Sequence, residues 1–173
     1  MKVKIIFISS ILLFISCSKK EETKEFPFES FIFSYAGLHH DNSLKFTNSD
    51  TVFMQRRFPK PTENFYAIIP ADKKIKLNKH LRSLNLNKFE SDYAQDNLCD
   101  GGSYLINAST KGKNKSIFIY GGIAPKELYN CADSLMSLKE NLKFVPTKQI
   151  IDFGDLGPIL PPPPPPPLKL KTK

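Results

Sequence analysis

Alternating apolar and polar positions predict several strands in the middle of the chain. Residues 31–35 place large rings at every second position, which is the period of a half-buried strand. Residues 44–47 and 51–57 are β-prone and are separated by Asn48-Ser49-Asp50, whose side chains favour turns. These two runs predict a β-hairpin, and the short apolar run at residues 65–69 predicts a further strand.

The second half of the chain repeats this arrangement. Residues 104–110 and 116–120 are β-prone and flank a connector at residues 111–114 that is rich in turn-forming residues. They predict a second hairpin. Phe144-Val145 is expected to return as an edge strand.

Apolar residues at helical spacing predict a first helix after Pro70. Asp72 is a potential N-cap, and Leu77, Leu81 and Leu84 follow at i, i+4 and i+7 on one side. The lysines between them are expected to face water.

A second helix is predicted to begin at Pro125. Its apolar stripe consists of Leu128, Ala132, Leu135 and Leu142. Strands gathered in hairpins with two amphipathic helices, rather than strict alternation of strands and helices, predict an α+β domain. We expect an antiparallel sheet of about five strands built from hairpins, with both helices on one face.

The amino terminus has the layout of a secretory signal peptide. Residues 1–4 are basic, and residues 5–15 form an apolar run that ends at Ser16-Cys17. This run is shorter than the roughly 20 apolar residues that a transmembrane helix needs. We therefore expect residues 1–16 to be removed during export.

The sequence around the expected cleavage point resembles the lipobox of bacterial lipoproteins. Phe14-Ile15-Ser16-Cys17 places a small residue directly before the cysteine. The resemblance implies that Cys17 is the lipid-attachment site, receives diacylglycerol and becomes the first mature residue. The alternative is an ordinary signal peptide with an incidental cysteine.

The residues after Cys17 extend that resemblance. The sequence Cys17-Ser-Lys-Lys-Glu-Glu22 is similar to the lysine-then-acidic export signal of lipoproteins of Bacteroidota. It implies a lipid anchor in the outer membrane, joined to the domain by a charged tether at residues 17–25. Display on the cell surface is the further expectation, and a plain solvated spacer is the alternative.

The formal charge of +8 lies mostly outside the expected domain. Residues 26–160 carry 17 lysines and arginines against 14 aspartates and glutamates, a net charge of +3. The sequence has no basic stripe interleaved with aromatic residues, so nucleic acid is not an expected partner. The 157 residues that follow the signal favour a single domain, which we place at residues 26–160.

An unbroken run of seven prolines, at residues 161–167, follows this domain. Proline cannot continue a helix or a central strand, so we expect a polyproline II rod of roughly 20 Å. The rod and its basic tip together make up residues 161–173. A spacer without a partner is favoured over a ligand for an aromatic groove, because chain termini tolerate variation.

Cys99 and Cys131 form a possible disulfide, since an exported protein folds in an oxidising compartment. Such a bond would close a loop of 32 residues and stabilise the fold by about 4 kcal/mol. Two free thiols are the alternative.

His39-His40-Asp41 is the densest group of potential metal ligands or acid–base residues in the chain. Adjacent histidines are poor partners for a single ion, so these residues are weak candidates and no metal is expected. We predict no catalytic residue and no cofactor, because the common nucleophile, zinc-protease, phosphate-loop and dinucleotide-binding motifs are absent from the sequence.

The order hairpin, helix, hairpin, helix resembles small exported domains of the same bacterial group that have no assigned activity. This resemblance supports the fold and implies no site residue. We expect a non-enzymatic binding or accessory protein of the cell envelope, held to the membrane by its lipid and bound to another envelope protein. The alternatives are a protective lipoprotein that neutralises a competitor's toxin and a metal-dependent hydrolase that uses His39, His40 and Asp41.

Overall fold

The computed structural model describes residues 25–98 and 101–161. The predicted signal peptide, Cys17 and most of the tether lie outside these residues, as do Cys99 and the polyproline rod beyond Pro161. The described chain forms one sheet of eight strands with two helices.

The strands follow the chain in the order β1 (Ser30–Ala36), β2 (Asp41–Phe46), β3 (Thr51–Phe58), β4 (Glu63–Ile68), β5 (Asp92–Ala94), β6 (Ser103–Thr110), β7 (Lys113–Tyr120) and β8 (Val145–Thr147). Across the sheet their order is β5-β7-β6-β1-β2-β3-β4-β8. Every neighbouring pair is antiparallel except β5 and β7. Strands β1 to β4 are therefore a continuous meander, and the β6–β7 hairpin joins it beside β1.

The prediction of an α+β domain with a largely antiparallel sheet and two helices is confirmed, but the sheet has eight strands and not about five. The edge strand β8 was predicted, whereas β5 was not. Both edge strands are only three residues long. A segment of that length shows almost no periodicity, and β5 exists because it pairs with β7, which is a tertiary effect that local pattern does not encode.

Helices α1 (Ala71–Ser83) and α2 (Lys126–Glu140) cross the sheet in opposite directions. Helix α1 leads from β4 towards the β5 edge, and α2 leads from β7 back to the β8 edge. Pro70 occupies the N-cap position of α1, and its fixed backbone angle suits a helix start. The predicted N-cap Asp72 instead lies within the first turn, so that assignment was wrong.

Both helices pack on the same face of the sheet, which we call the helix face. Phe33 pairs with Leu44 on one side and Ile106 on the other, so the three side chains point the same way. The core of this face is completed by Phe31, Phe46, Val52, Met54, Ile117, Ile119, Leu77, Leu81, Leu128, Ala132 and Leu135. The predicted stripe residues within the helices thus face the core. Leu84 and Leu142, which were assigned to the same stripes, lie just past the ends of α1 and α2 and are partly buried.

The opposite face is covered by residues 148–160, which we call the strap. The strap has no regular structure except a short 3-10 turn at Gly157–Ile159, yet it buries Phe153 and Ile159. Ile32 and Leu105 of this strap face are also buried, at 5% and 0% exposure. Because β1 is covered on both faces, it is apolar at successive positions.

Three sheet side chains bind carbonyl oxygens of the strap. Asn64 donates to the oxygen of Gln149 at 3.0 Å, Lys45 to that of Asp152 at 2.6 Å, and Asn107 to that of Asp155 at 2.8 Å. The strap therefore crosses from β4 to β6, and its backbone polar groups are satisfied by side chains instead of by a ladder.

Candidate functional site

The first described residues cross one end of the sheet, which we call the tether end. Here the backbone oxygen of Glu25 accepts hydrogen bonds from the guanidinium of Arg82, near the end of α1. Four residues on, the amide of Glu29 donates to the oxygen of Ser109 at 2.8 Å. Phe28 packs on Phe31 with their ring centroids 5.3 Å apart. The start of the domain is thus fixed between α1 and the β6–β7 hairpin.

The turn of that hairpin also lies at the tether end. Lys111 and Gly112 both have positive φ, 47° and 75°, which is the backbone of a two-residue type I′ turn. The predicted four-residue connector is therefore shorter, and β7 begins at Lys113. Pairing of Lys113 with Thr110 and of Lys115 with Ala108 places both lysines on the helix face, towards the end of α1.

Between these elements lies an open cavity of about 960 Å³, which we call the N-terminal groove. Its apolar lining comes from Pro27, Phe28, Leu81, Leu84, Leu86 and Ala108. Leu81, Leu86 and Ala108 are buried beneath it, whereas Phe28 and Leu84 are half-buried and offer apolar surface. The volume is at the upper end of the range for small-ligand pockets.

The rim of the groove is basic. Arg82, Lys111, Lys113 and Lys115 line it, and no aspartate or glutamate does among the described residues. Arg82 is engaged with Glu25, and Lys115 donates to the oxygen of Phe89 at 2.6 Å. The exposed Lys111 and Lys113 make no hydrogen bond or ion pair within the described ranges, so both ammonium groups are available to an acidic ligand. The groove can therefore bind a ligand that combines apolar and anionic groups.

The sequence patterns did not identify this groove. Its parts come from four segments that the fold brings together: residues 25–29, the end of α1, the 3-10 turn at Leu86–Lys88 and the β6–β7 hairpin. Taken singly, the lysines at residues 111–115 are typical of a hairpin turn and Arg82 of a solvated helix end. The groove becomes apparent only when the four segments are considered together.

The three weak candidate ligands lie together at the loop between β1 and β2. His39 and His40 are exposed in the loop between β1 and β2, and Asp41 begins β2. The carboxylate of Asp41 accepts a hydrogen bond from the amide of Gly37 at 3.2 Å and so closes the loop. Within residues 25–98 and 101–161, no group of three or more histidines, cysteines, aspartates or glutamates is placed to hold a metal ion.

Cys131 lies on the core side of α2, fully buried, and is bonded to no other cysteine among the described residues. Burial raises the pKa of this thiol to about 12, so it is protonated and unreactive at neutral pH. Its possible partner Cys99 lies outside the described residues, and the disulfide stays a prediction. The same holds for lipid attachment at Cys17.

A second polar cluster lies on the strap face near the opposite end of the sheet. The Ser34 and Ser43 hydroxyls are fully buried and bonded to each other, and the guanidinium of Arg57 donates to Ser43. Burial lowers the pKa of Arg57, while the charge of Asp41 opposes that shift. Arg57 also contacts backbone oxygens of Tyr35 and Asn42 at 3.5 Å. These contacts satisfy one another and tie β1, β2 and β3 together.

No protein-family model matches the chain, and no curated protein sequence matches it. Among the described residues, no helix is both long enough and apolar enough to cross a bilayer. The candidate site therefore rests on its geometry and charge.

Proposed function

We propose that the chain is a lipid-anchored, non-enzymatic binding protein of the bacterial outer membrane, and that the N-terminal groove binds a segment of another envelope protein. The observation that carries this proposal is the basic rim, free of acidic side chains, above an apolar floor. The sequence adds the signal layout and the lipobox-like motif ending at Cys17.

The position of the groove agrees with such a role. Cys17 precedes Glu25 by eight residues, which can span at most about 28 Å when fully extended. Arg82 holds Glu25 directly at the groove. A lipid on Cys17 would therefore keep the groove close to the membrane, where an anchored partner presents its own membrane-proximal segments.

The chemistry of the groove defines the segment that fits it. Carboxylates of the ligand would meet Lys111 and Lys113, and apolar side chains would cover Phe28 and Leu84. Exposed ion pairs contribute only about 0.2–1 kcal/mol each. We therefore expect the apolar contacts to provide most of the affinity. The lysines should increase the rate of association and favour acidic partners.

Photo-crosslinking on intact cells tests this proposal. A photoreactive amino acid replaces the exposed Asn87, which lines the groove, in the full-length protein. A matched protein carries it at Lys60, which is also exposed but lies in the β3–β4 connection at the other end of the sheet. We expect one partner to be captured from position 87 and not from position 60.

Two further variants complete the experiment. Lys111→Ser with Lys113→Ser should reduce capture from position 87, and Cys17→Ala should release the protein from the membrane. Capture that is equal at both positions, or unchanged by the lysine substitutions, would show that the groove is not the binding site. The identity of the partner separates an envelope accessory protein from a toxin antagonist.

A further inference from the structure

A second cavity lies between the two helices, away from the N-terminal groove. The helices are antiparallel: Lys73 near the start of α1 donates to the oxygen of Asn141 at 3.2 Å, just past the end of α2. At the other end, Lys88 pairs with Glu127 at 2.7 Å. The cavity lies at the Lys73 end and has a volume of about 450 Å³; we call it the interhelical cleft.

Each helix contributes one kind of polar group to the cleft. Lys73, Lys76 and His80 come from α1 at spacings of three and four residues, which places them on one side of that helix. Ser134 and Ser137 come from α2 at a spacing of three. The floor includes the buried Leu77, and no acidic side chain lines the cleft among the described residues.

The imidazole of His80 is incompletely bonded. Its Nε2 atom is buried and has no hydrogen-bond partner in the described part of the chain. A buried nitrogen without a partner costs about 1–3 kcal/mol, and such atoms usually have a water molecule or an ion beside them. In this cleft, the neighbouring polar groups are two ammonium groups and two hydroxyls, which together suit an oxyanion.

The hydroxyls differ in what they can offer. Ser134 already donates to the backbone oxygen of Asn130 at 2.8 Å, which leaves only its oxygen as an acceptor. The hydroxyl of Ser137 makes no hydrogen bond within the described residues and is available as a donor. Lys73 and Lys76 supply two positive charges, while the nearest acidic residues in sequence, Asp72, Asp133 and Glu140, are exposed and do not line the cleft.

We infer that the interhelical cleft is a binding site for a phosphate group, either free or as a phosphate monoester, held by Lys73, Lys76 and Ser137 beside the imidazole of His80. The phosphate oxygens accept from the two ammonium groups and from the Ser137 hydroxyl. The half-buried Leu138 beside them leaves room for a small organic substituent on a monoester. This inference is independent of the proposed partner in the N-terminal groove.

Nuclear magnetic resonance of the soluble Cys17→Ala protein tests the site with two probes, inorganic phosphate and glycerol 3-phosphate. We expect either probe to shift the ring signals of His80 and the amide signal of Ser137 in a saturable manner. Tighter binding of glycerol 3-phosphate would identify a monoester as the ligand, and tighter binding of inorganic phosphate would identify the free ion. Acetate at the same ionic strength controls for charge alone.

A pair of matched variants separates a built site from general attraction to a basic protein. Lys73→Ser with Lys76→Ser should weaken binding about tenfold, since hydrogen bonds to charged groups are lost. Lys79→Ser with Lys126→Ser removes the same charge from exposed positions outside the cleft and should change binding less than about twofold. Both pairs are on helix surfaces, and circular dichroism checks that they fold.

Two results would overturn the inference. The first is an unchanged His80 ring spectrum at saturating phosphate and glycerol 3-phosphate, which would mean that neither probe enters the cleft. The second is an equal loss of binding in both double variants, which would mean that phosphate responds only to net charge.

Discussion

The helix face and the strap face of the sheet are closed by different kinds of interaction. On the helix face, two amphipathic helices bury a continuous apolar core in which Leu81, Leu128 and Leu135 are fully enclosed. On the strap face, an irregular segment is held by side-chain hydrogen bonds to its backbone and inserts only Phe153 and Ile159. The helix face is closed by the packing of large apolar side chains, and the strap face is closed mainly by a few hydrogen bonds.

The two kinds of closure predict where the stability of the domain resides. Removal of a core side chain loses its transfer free energy and leaves a cavity that rigid helices cannot fill. Removal of a strap contact allows a short segment to shift or detach locally, which limits the loss. Substitutions of similar size should therefore cost more on the helix face.

The largest effect is expected for Phe33→Ala on the helix face. Phe33 is 1% exposed at the centre of the sheet, so its truncation should lower the free energy of unfolding by about 3–5 kcal/mol. Urea denaturation measures the change. The same truncation at Phe58, which is 44% exposed, is the control and should have little effect. A Phe33→Ala loss no greater than that of Phe58→Ala would contradict the assignment of the core.

The thiol of Cys131 gives a second test of how well the helix face excludes charge. Burial raises its pKa from an ordinary 9.0 to about 12, so between these values the unfolded chain ionises while the folded protein keeps its proton. Stability contributed by this group is complete below pH 9 and is lost as pH rises towards 12. The expected loss reaches about 4 kcal/mol at the upper end.

Comparison with Cys131→Ala isolates that contribution. Burial also raises the pKa of Tyr104, but this effect is common to both proteins. The variant should be less stable at neutral pH because of the missing sulfur, yet lose stability less steeply in alkali. Parallel pH profiles for the two proteins would rule out the proposed role of the thiol. Mass spectrometry after alkylation in urea without reductant would report separately whether Cys99 and Cys131 are bonded.

A smaller effect is expected on the strap face. Phe153→Ala should cost about 2 kcal/mol, because a detached strap avoids part of the cavity penalty. Hydrogen exchange should show faster opening of the Leu105 amide while the Leu135 amide stays protected. Equal acceleration at both sites would mean that the strap unfolds together with the helices and that the two faces are not independent.

The smallest effect concerns one directed contact. Lys45→Met keeps the length of the side chain and removes its bond to the oxygen of Asp152, at an expected cost of about 1 kcal/mol. Lys148→Met, in an exposed part of the strap, is the matched control and should be neutral. If both variants were neutral by urea denaturation, the Lys45 contact would not contribute to holding the strap.

The same contrast explains how far the sequence predicted the structure. Elements with a clear period, such as α1, α2 and the β2–β3 hairpin, form where the pattern indicates. The strap was assigned to the domain but its path was not predicted, because contacts such as Asn107 with Asp155 follow no local rule. Strand β5 was missed for a similar reason: its partner β7 lies more than twenty residues further along the chain.

The candidate cavities are less visible in the sequence than the fold. The histidines at residues 39 and 40 were weak candidate ligands because they are adjacent in sequence, and both are exposed in a loop. The N-terminal groove and the interhelical cleft draw on residues that are far apart in sequence, such as Arg82 with Lys113 and His80 with Ser137. These residues come together only in the final topology, and no local pattern in a single sequence shows which distant residues will be neighbours.

The strap also affects the order in which the chain can fold during synthesis, which begins at the amino terminus. Lys45 and Asp152 are separated by 107 residues, so their contact closes one of the longest loops in the domain. The β1–β4 meander can form early, but Ile32 stays exposed to water until residues 149–160 arrive. A nascent chain therefore carries an unprotected apolar surface for nearly the whole of its emergence, and a factor that shields such surfaces would be needed most before the last segment appears.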